Sequence, residues 1–103
     1  MARTRVFVSH PLYSEGDVAD NFIKVDEICK ELWRDGLNPI SPIHSYSFVD
    51  EEKDGDREEI MSVCRDLILI SDEVWVYGNK GGCAIERRWA EQCRKPVRDM
   101  TGW

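Results

Sequence analysis

The glycine-rich turn Gly78-Asn79-Lys80-Gly81-Gly82, followed shortly by Glu86, is where this 103-residue sequence most plainly gathers residues able to do chemistry. Paired glycines let backbone approach a ligand closely, and a helix opening after them presents unpaired N–H groups and a positive dipole end. A carboxylate about one turn into that helix is held ionised, which suits a nucleophile better than a general acid. Glu86 also reads as an ordinary early-helix glutamate, since acids are favoured at any helix start. His10 and His44 each follow a predicted strand and could serve as acid, base or hydrogen-bond donor. Each equally reads as a surface or packing residue.

Other chemistries fit poorly. The turn is neither GxGxxG nor GxxxxGK[ST], so neither a dinucleotide fingerprint nor a P-loop is present. Between Asp50 and Glu59 seven acids stand against Lys53 and Arg57. Counted from Asp50 as a calcium loop, the glycine falls correctly at Gly55, but the closing position is Met61. Cys29, Cys64, Cys83 and Cys93 form no CxxC pair and no metal-ligand spacing. No metal and no cofactor are expected, and the unpaired cysteines suggest a reducing compartment.

The elements that must position these residues follow from periodicity. Arg5–Ser9 is a short apolar strand stopped by His10-Pro11. Asp17 caps a helix carrying Val18, Phe22, Val25, Ile28 or Cys29, and Leu32, which ends at Asp35-Gly36. Leu37–Ser41 is a second strand, placed at a sheet edge because of Pro39. The loop Pro42–Phe48 shows no clear helix start. Asp56 caps a second helix with Ile60, Val63 or Cys64, and Leu67 inward, running through Ile70 to a break at Ser71-Asp72. Glu73–Tyr77 is the third strand, Cys83–Arg94 a third helix with Ile85, Trp89 and Cys93 on one side, and Val97–Met100 the last strand. This βαβαβαβ order predicts a small flavodoxin-like or Rossmann-like three-layer sandwich around a four-stranded parallel sheet, spanning 1–103 as one domain. Ligands of such sheets bind outside the strands' carboxyl ends. That rule nominates Ser9, His10 and Pro11 after the first strand, Ser41 and Pro42 after the second, and Gly78, Lys80, Gly81 and Gly82 after the third.

A formal net charge of -6 argues against binding a nucleic acid polymer through bulk positive charge. No signal-peptide core opens the chain and no apolar run reaches membrane-spanning length, so a cytoplasmic protein without a membrane partner is expected.

Together these segments resemble the nucleoside 2-deoxyribosyltransferase-like superfamily, including its small phage and bacterial members. Val6-Phe7-Val8-Ser9-His10-Pro11 resembles its opening strand and loop. Gly36-Leu37-Asn38-Pro39-Ile40-Ser41-Pro42 is similar to its G-x-x-P-I-x-P signature. Ser71–Gly78 looks like its C-D-E-L-W-V-F-G strand, and Gly82–Glu86 with Ala90 and Lys95-Pro96-Val97 resembles its G-x-x-x-E-x-x-x-A…G-K-P-V ending.

The resemblance implies cleavage of the N-glycosidic bond of a small-molecule nucleoside or nucleotide, with Glu86 as nucleophile. The sugar ester then passes to another base or to water. Asp50 or His44 are candidates, by position, for protonating the departing base. It also implies a homo-oligomer, for which Trp33, Trp75, Trp89 and Trp103 are candidate contacts. Departures from the pattern are specific. The acid expected before the nucleophile falls at Lys80, the tyrosine that supports it at Phe7, and the base-contacting aspartate near Cys64 or Asp66. Lys80 motivates the alternative of a sensor or sequestering protein that binds a nucleotide without turning it over.

Overall fold

A computed structural model describes residues 2–49 and 57–102. The elements are β1 (Arg5–Ser9), α1 (Val18–Arg34), β2 (Asn38–Ile40), α2 (Pro42–Ser45), α3 (Arg57–Ile70), β3 (Glu73–Val76), α4 (Gly81–Gln92) and β4 (Val97–Asp99). The four strands form one parallel sheet in the order β2-β1-β3-β4. Strand order reverses between β1 and β3, because the chain leaves β1 toward β2 and then returns across it. Helices lie on both faces, as the alternating pattern requires.

The side-chain period of two in β1 decides what each face receives. Val6 and Val8 pack with Val25, Ile28 and Leu32 of α1 and with Trp75. Phe7 points the other way, into a core with Cys64 and Ile68 of α3, Val74 and Val76 of β3, and Cys83 and Ala90 of α4. Ser9 shares the face of Phe7, so the last residue of β1 is delivered to the α3/α4 side, at the carboxyl edge of the sheet.

Most predicted elements are present, with instructive differences. Asp17 caps α1 by accepting from Asp20 N at 3.1 Å. β2 is an edge strand, and the reason is visible in its hydrogen bonding. Asn38 N donates inward to Thr4 O at 2.8 Å, so the next residue, Pro39, turns its N–H-free nitrogen outward where no partner is required.

The segment after β2 is not irregular throughout. Ser41 caps a four-residue helix opened by Pro42, too short to show periodicity. The N-cap assigned to Asp56 lies outside the described residues. On α3 the fully buried position is Ile68, with Cys64 beside it and Ile60 and Leu67 packed at the margin. On α4 the buried stripe is Cys83, Glu86 and Ala90 rather than Ile85, Trp89 and Cys93, which are only half-buried. The predicted stripe followed hydropathy, and the real one turns a carboxylate inward.

The tryptophans divide similarly. Trp75 is buried, Trp89 packs half-buried against the α3/α4 core, and Trp33 is exposed with the Arg3 guanidinium 3.6 Å above its ring. Trp103 lies outside the described residues. No helix among the described residues is long and apolar enough to cross a membrane.

Candidate active site

Glu86 is the one charged residue in the buried core of the described chain, 6% exposed, and it sits where the sheet's carboxyl edge meets α4. Ser9 Oγ donates to its Oε1 at 2.7 Å. Both groups are buried, and a hydrogen bond to a carboxylate away from water is strong and directional, so it fixes the rotation of the carboxylate. Two sequence periodicities produce it: Ser9 lies two residues beyond Phe7 on the same strand face, and Glu86 lies three beyond Cys83 on the inner stripe of α4.

The helix dipole contributes less than the sequence suggested. α4 opens at Gly81, two residues earlier than predicted, which places Glu86 beyond the first turn, where the dipole effect fades. Ser9 instead fixes how the carboxylate is turned. Cys83 completes the group: its thiol is hydrogen-bonded to Ser9, and burial, with the charge of Glu86 adding to it, pushes its pKa up to about 11. A thiol so shifted stays protonated at neutral pH and is not a reactive thiolate.

Glu86 lines a cleft of ≈ 230 Å³. One wall is the loop after β1, from His10 to Ser14, and a second is Pro42, Ile43, Tyr46 and Ser47 after β2. Ile60, Met61 and Cys64 of α3 form the third, and Val18 and Phe22 of α1 close the side. The loop after β1 is held by Asn21, a buried polar residue of α1 whose Nδ2 donates to Leu12 O at 3.0 Å and also to Glu15 O. An aromatic and aliphatic lining around one buried carboxylate can clasp a planar, weakly polar group and hold it beside a nucleophile.

The structure thus brings His10, Pro11, Pro42, Gly82 and Glu86 to one cleft, with Ser9 directly behind Glu86. It does not bring in the others. Gly78 is buried beneath the loops: an added Cβ would stand 3.0 Å from Pro11 and 3.1 Å from the Cys83 sulfur, so its glycine serves close packing of β1's loop on α4. Gly81 has φ 54°, and a Cβ there would meet Ser14 at 3.2 Å. Lys80 is exposed at the N-cap position of α4 and lies outside the cleft lining.

Ser41 and His44 face a different, more open depression beside α1. His44 Nε2 donates to Asp26 at 3.3 Å, leaving Nδ1 to accept from Ser41 Oγ at 2.9 Å. Asp26 also pairs with Lys30 at 2.9 Å, and that contact, with the His44 bond secondary, holds its carboxyl below the usual carboxylate range. His44 thus ties α2 to α1 and supports a cleft wall from behind. Asp50 lies outside the described residues.

Several cleft residues escaped the sequence reading. Tyr13, Ser14, Tyr46 and Ser47 lie further along loops already nominated, so only their extent was missed. Ile60 and Cys64 read as the inner face of a helix, Cys64 also falling near the family's base-contacting aspartate, and Met61 figures in the sequence only as the closing position of the rejected calcium loop. Of the two positions aligned with the base-contacting aspartate, Cys64 lines the cleft and Asp66 is exposed. Phe7, aligned with the supporting tyrosine, is wholly buried in the core, and Ser9 supplies the hydroxyl on Glu86. Among the described residues no group of three His, Cys, Asp or Glu side chains could hold a metal ion.

Two solved structures share this architecture. A 2-deoxyribosyltransferase from the psychrotolerant bacterium Bacillus psychrosaccharolyticus superposes with a TM-score of 0.68 at 19% identity, over 97% of this chain and 75% of that one. A conserved protein from Enterococcus faecalis V583 superposes with a TM-score of 0.68 at 22% identity, over 95% of this chain. The present chain spans 63% of that second protein's length. The fold is therefore that of a small nucleoside 2-deoxyribosyltransferase-like α/β domain. Residues 4–100 match the DUF7768 family, described as a domain of unknown function, and the chain belongs to that family. No curated protein matches the sequence.

Proposed function

We propose that this protein cleaves the N-glycosidic bond of a nucleoside or nucleotide, or transfers its deoxyribosyl group, with Glu86 as the nucleophile. The observation that carries the reading is a buried carboxylate, fixed by Ser9, opening onto an aromatic-lined cleft at the strand-order switch of the sheet. In the first half-reaction a Glu86 oxygen bonds the anomeric carbon, the C–N bond breaks, and its electron pair leaves with the base, which takes up a proton from solvent. In the second, water or an acceptor base displaces the carboxylate. This is the two-step route of retaining glycosidases. The likeness to a 2-deoxyribosyltransferase structure supports the same reading at the level of fold. Lys80, the ground for a nucleotide-holding role, lies outside the cleft, which favours the catalytic reading.

The test is direct. The protein is incubated with a panel of purine and pyrimidine nucleosides, 2′-deoxynucleosides and their 5′-monophosphates, with and without an acceptor base, and free base is followed by chromatography. Time-dependent, enzyme-proportional release from at least one member is expected. Wild-type protein that releases no base from any of them ends the proposal.

A further inference from the structure

His10 stands one residue beyond Ser9 and lines the same cleft as Glu86, yet nucleophilic attack by Glu86 requires nothing of it. Its Nδ1 lies 2.7 Å from the carbonyl oxygen of Pro11. A carbonyl only accepts, so Nδ1 carries the hydrogen, and in the neutral ring Nε2 is then a lone pair. Among the described residues Nε2 has no hydrogen-bond partner. The ring is braced by that carbonyl on one edge and by Tyr77, whose ring centroid is 6.0 Å away. Burial, ahead of every other influence, pushes the His10 pKa below its ordinary value of 6.5. The Pro11 bond opposes this, Lys24 of α1 adds to it, and Glu15 of the β1–α1 loop opposes it. The imidazole is therefore neutral at physiological pH, with Nε2 as its basic nitrogen.

Resting on the nucleophile reading of Glu86, we infer that His10 is the general base of the second half-reaction. A water oxygen bonds the anomeric carbon, the ester bond to Glu86 breaks and returns its electron pair to the carboxylate, and the water's proton passes to Nε2. The imidazolium then releases that proton to solvent. A neutral histidine held as one tautomer by a backbone carbonyl is organised for this step, because the ring need not reorient to present a lone pair. The first half-reaction places no demand on it.

Two measurements test the assignment. Long-range proton–nitrogen NMR of the wild-type protein at pH 7 should show His10 protonated on Nδ1 and bare on Nε2. An Nε2–H tautomer overturns the inference whatever the activity. In rapid-quench kinetics with a nucleoside that the wild type turns over, His10→Ala and His10→Gln should keep the first stoichiometric burst of base. Their steady-state turnover should fall by about 10²-fold or more, the usual worth of a general base. The glycosyl-enzyme should accumulate, and added imidazole should speed its breakdown in His10→Ala. The sign of the pH effect follows from the lowered pKa: wild-type deglycosylation holds above pH 6.5 and declines only at lower pH, as Nε2 is protonated. That limb should vanish in both variants. Unchanged turnover in the variants, or equal loss of burst and steady state, overturns the role of His10 and leaves Glu86 standing. Absence of base release by the wild type removes both.

Discussion

Glu86→Gln is expected to reduce base release by about 10³-fold or more while leaving the folded protein intact. The size of the loss follows from what the residue is asked to do. A carboxylate nucleophile divides one difficult displacement into two easier ones, and removing the nucleophile of a covalent mechanism commonly costs several orders of magnitude. Glutamine keeps the shape and an oxygen able to accept from Ser9, whose hydroxyl now stands 2.7 Å from Oε1. It cannot form the sugar ester. Its melting temperature should stay within a few degrees of wild type, and that control separates lost chemistry from lost structure. Chromatographic base release and a thermal melt on the same preparation check both halves. A variant that releases base at the wild-type rate removes Glu86 from the reaction.

Phe7→Ala should cost about 3–5 kcal/mol of stability, the usual range for truncating a fully buried aromatic. Phe7 is 0% exposed and central to the core that β1, β3, α3 and α4 share. Alanine leaves a cavity bordered by Ile68, Val74, Val76 and Ala90, and strands on both sides of β1 restrict how far it can collapse. Native stabilities are about 5–15 kcal/mol, so the variant loses a large part of its margin. For a domain of about 100 residues this corresponds to a fall in Tm of roughly 15–25 °C. Phe48→Ala is the control: at 78% exposed it should shift stability by no more than about 0.5 kcal/mol. Urea denaturation of the three proteins decides the matter, and a Phe7→Ala midpoint equal to wild type would contradict the assigned core.

Much of the fold was legible because local chemistry and tertiary need agree in it. Arg5–Ser9 alternates between two buried layers and stops at a proline. Asp17 caps as its type predicts, and Pro39 belongs at an edge because it has no N–H to offer. What escaped was of two kinds. The four-residue helix after Ser41 is shorter than any period, although a capping serine followed by proline was there to be noticed. On α4 the inner stripe could not be found by hydropathy, since Glu86 occupies it, and a buried charge looks like a surface residue to any scale. That failure falls at the candidate site, where local rules are expected to break.

The site itself was legible to the extent that strand ends announce it. The loops after β1, β2 and β3 were nominated by topology, and residues from each reach the cleft. Within those loops sequence could not separate residues that face a ligand from residues that pack. Gly78 packs against Pro11 and the Cys83 sulfur. His44 spends both ring nitrogens on Ser41 and Asp26. The contribution of α3 and the hydroxyl of Ser9 on Glu86 depend on contacts between residues dozens of positions apart, which no local pattern encodes.

The most direct test asks where the sugar goes. The protein, mixed with a nucleoside from which it releases base, is quenched in acid within the burst, digested, and mapped by mass spectrometry. A pentosyl or deoxypentosyl adduct is expected on the peptide carrying Glu86, absent from Glu86→Gln. Base release with no adduct there, or with the adduct on a different side chain, would contradict the role of Glu86.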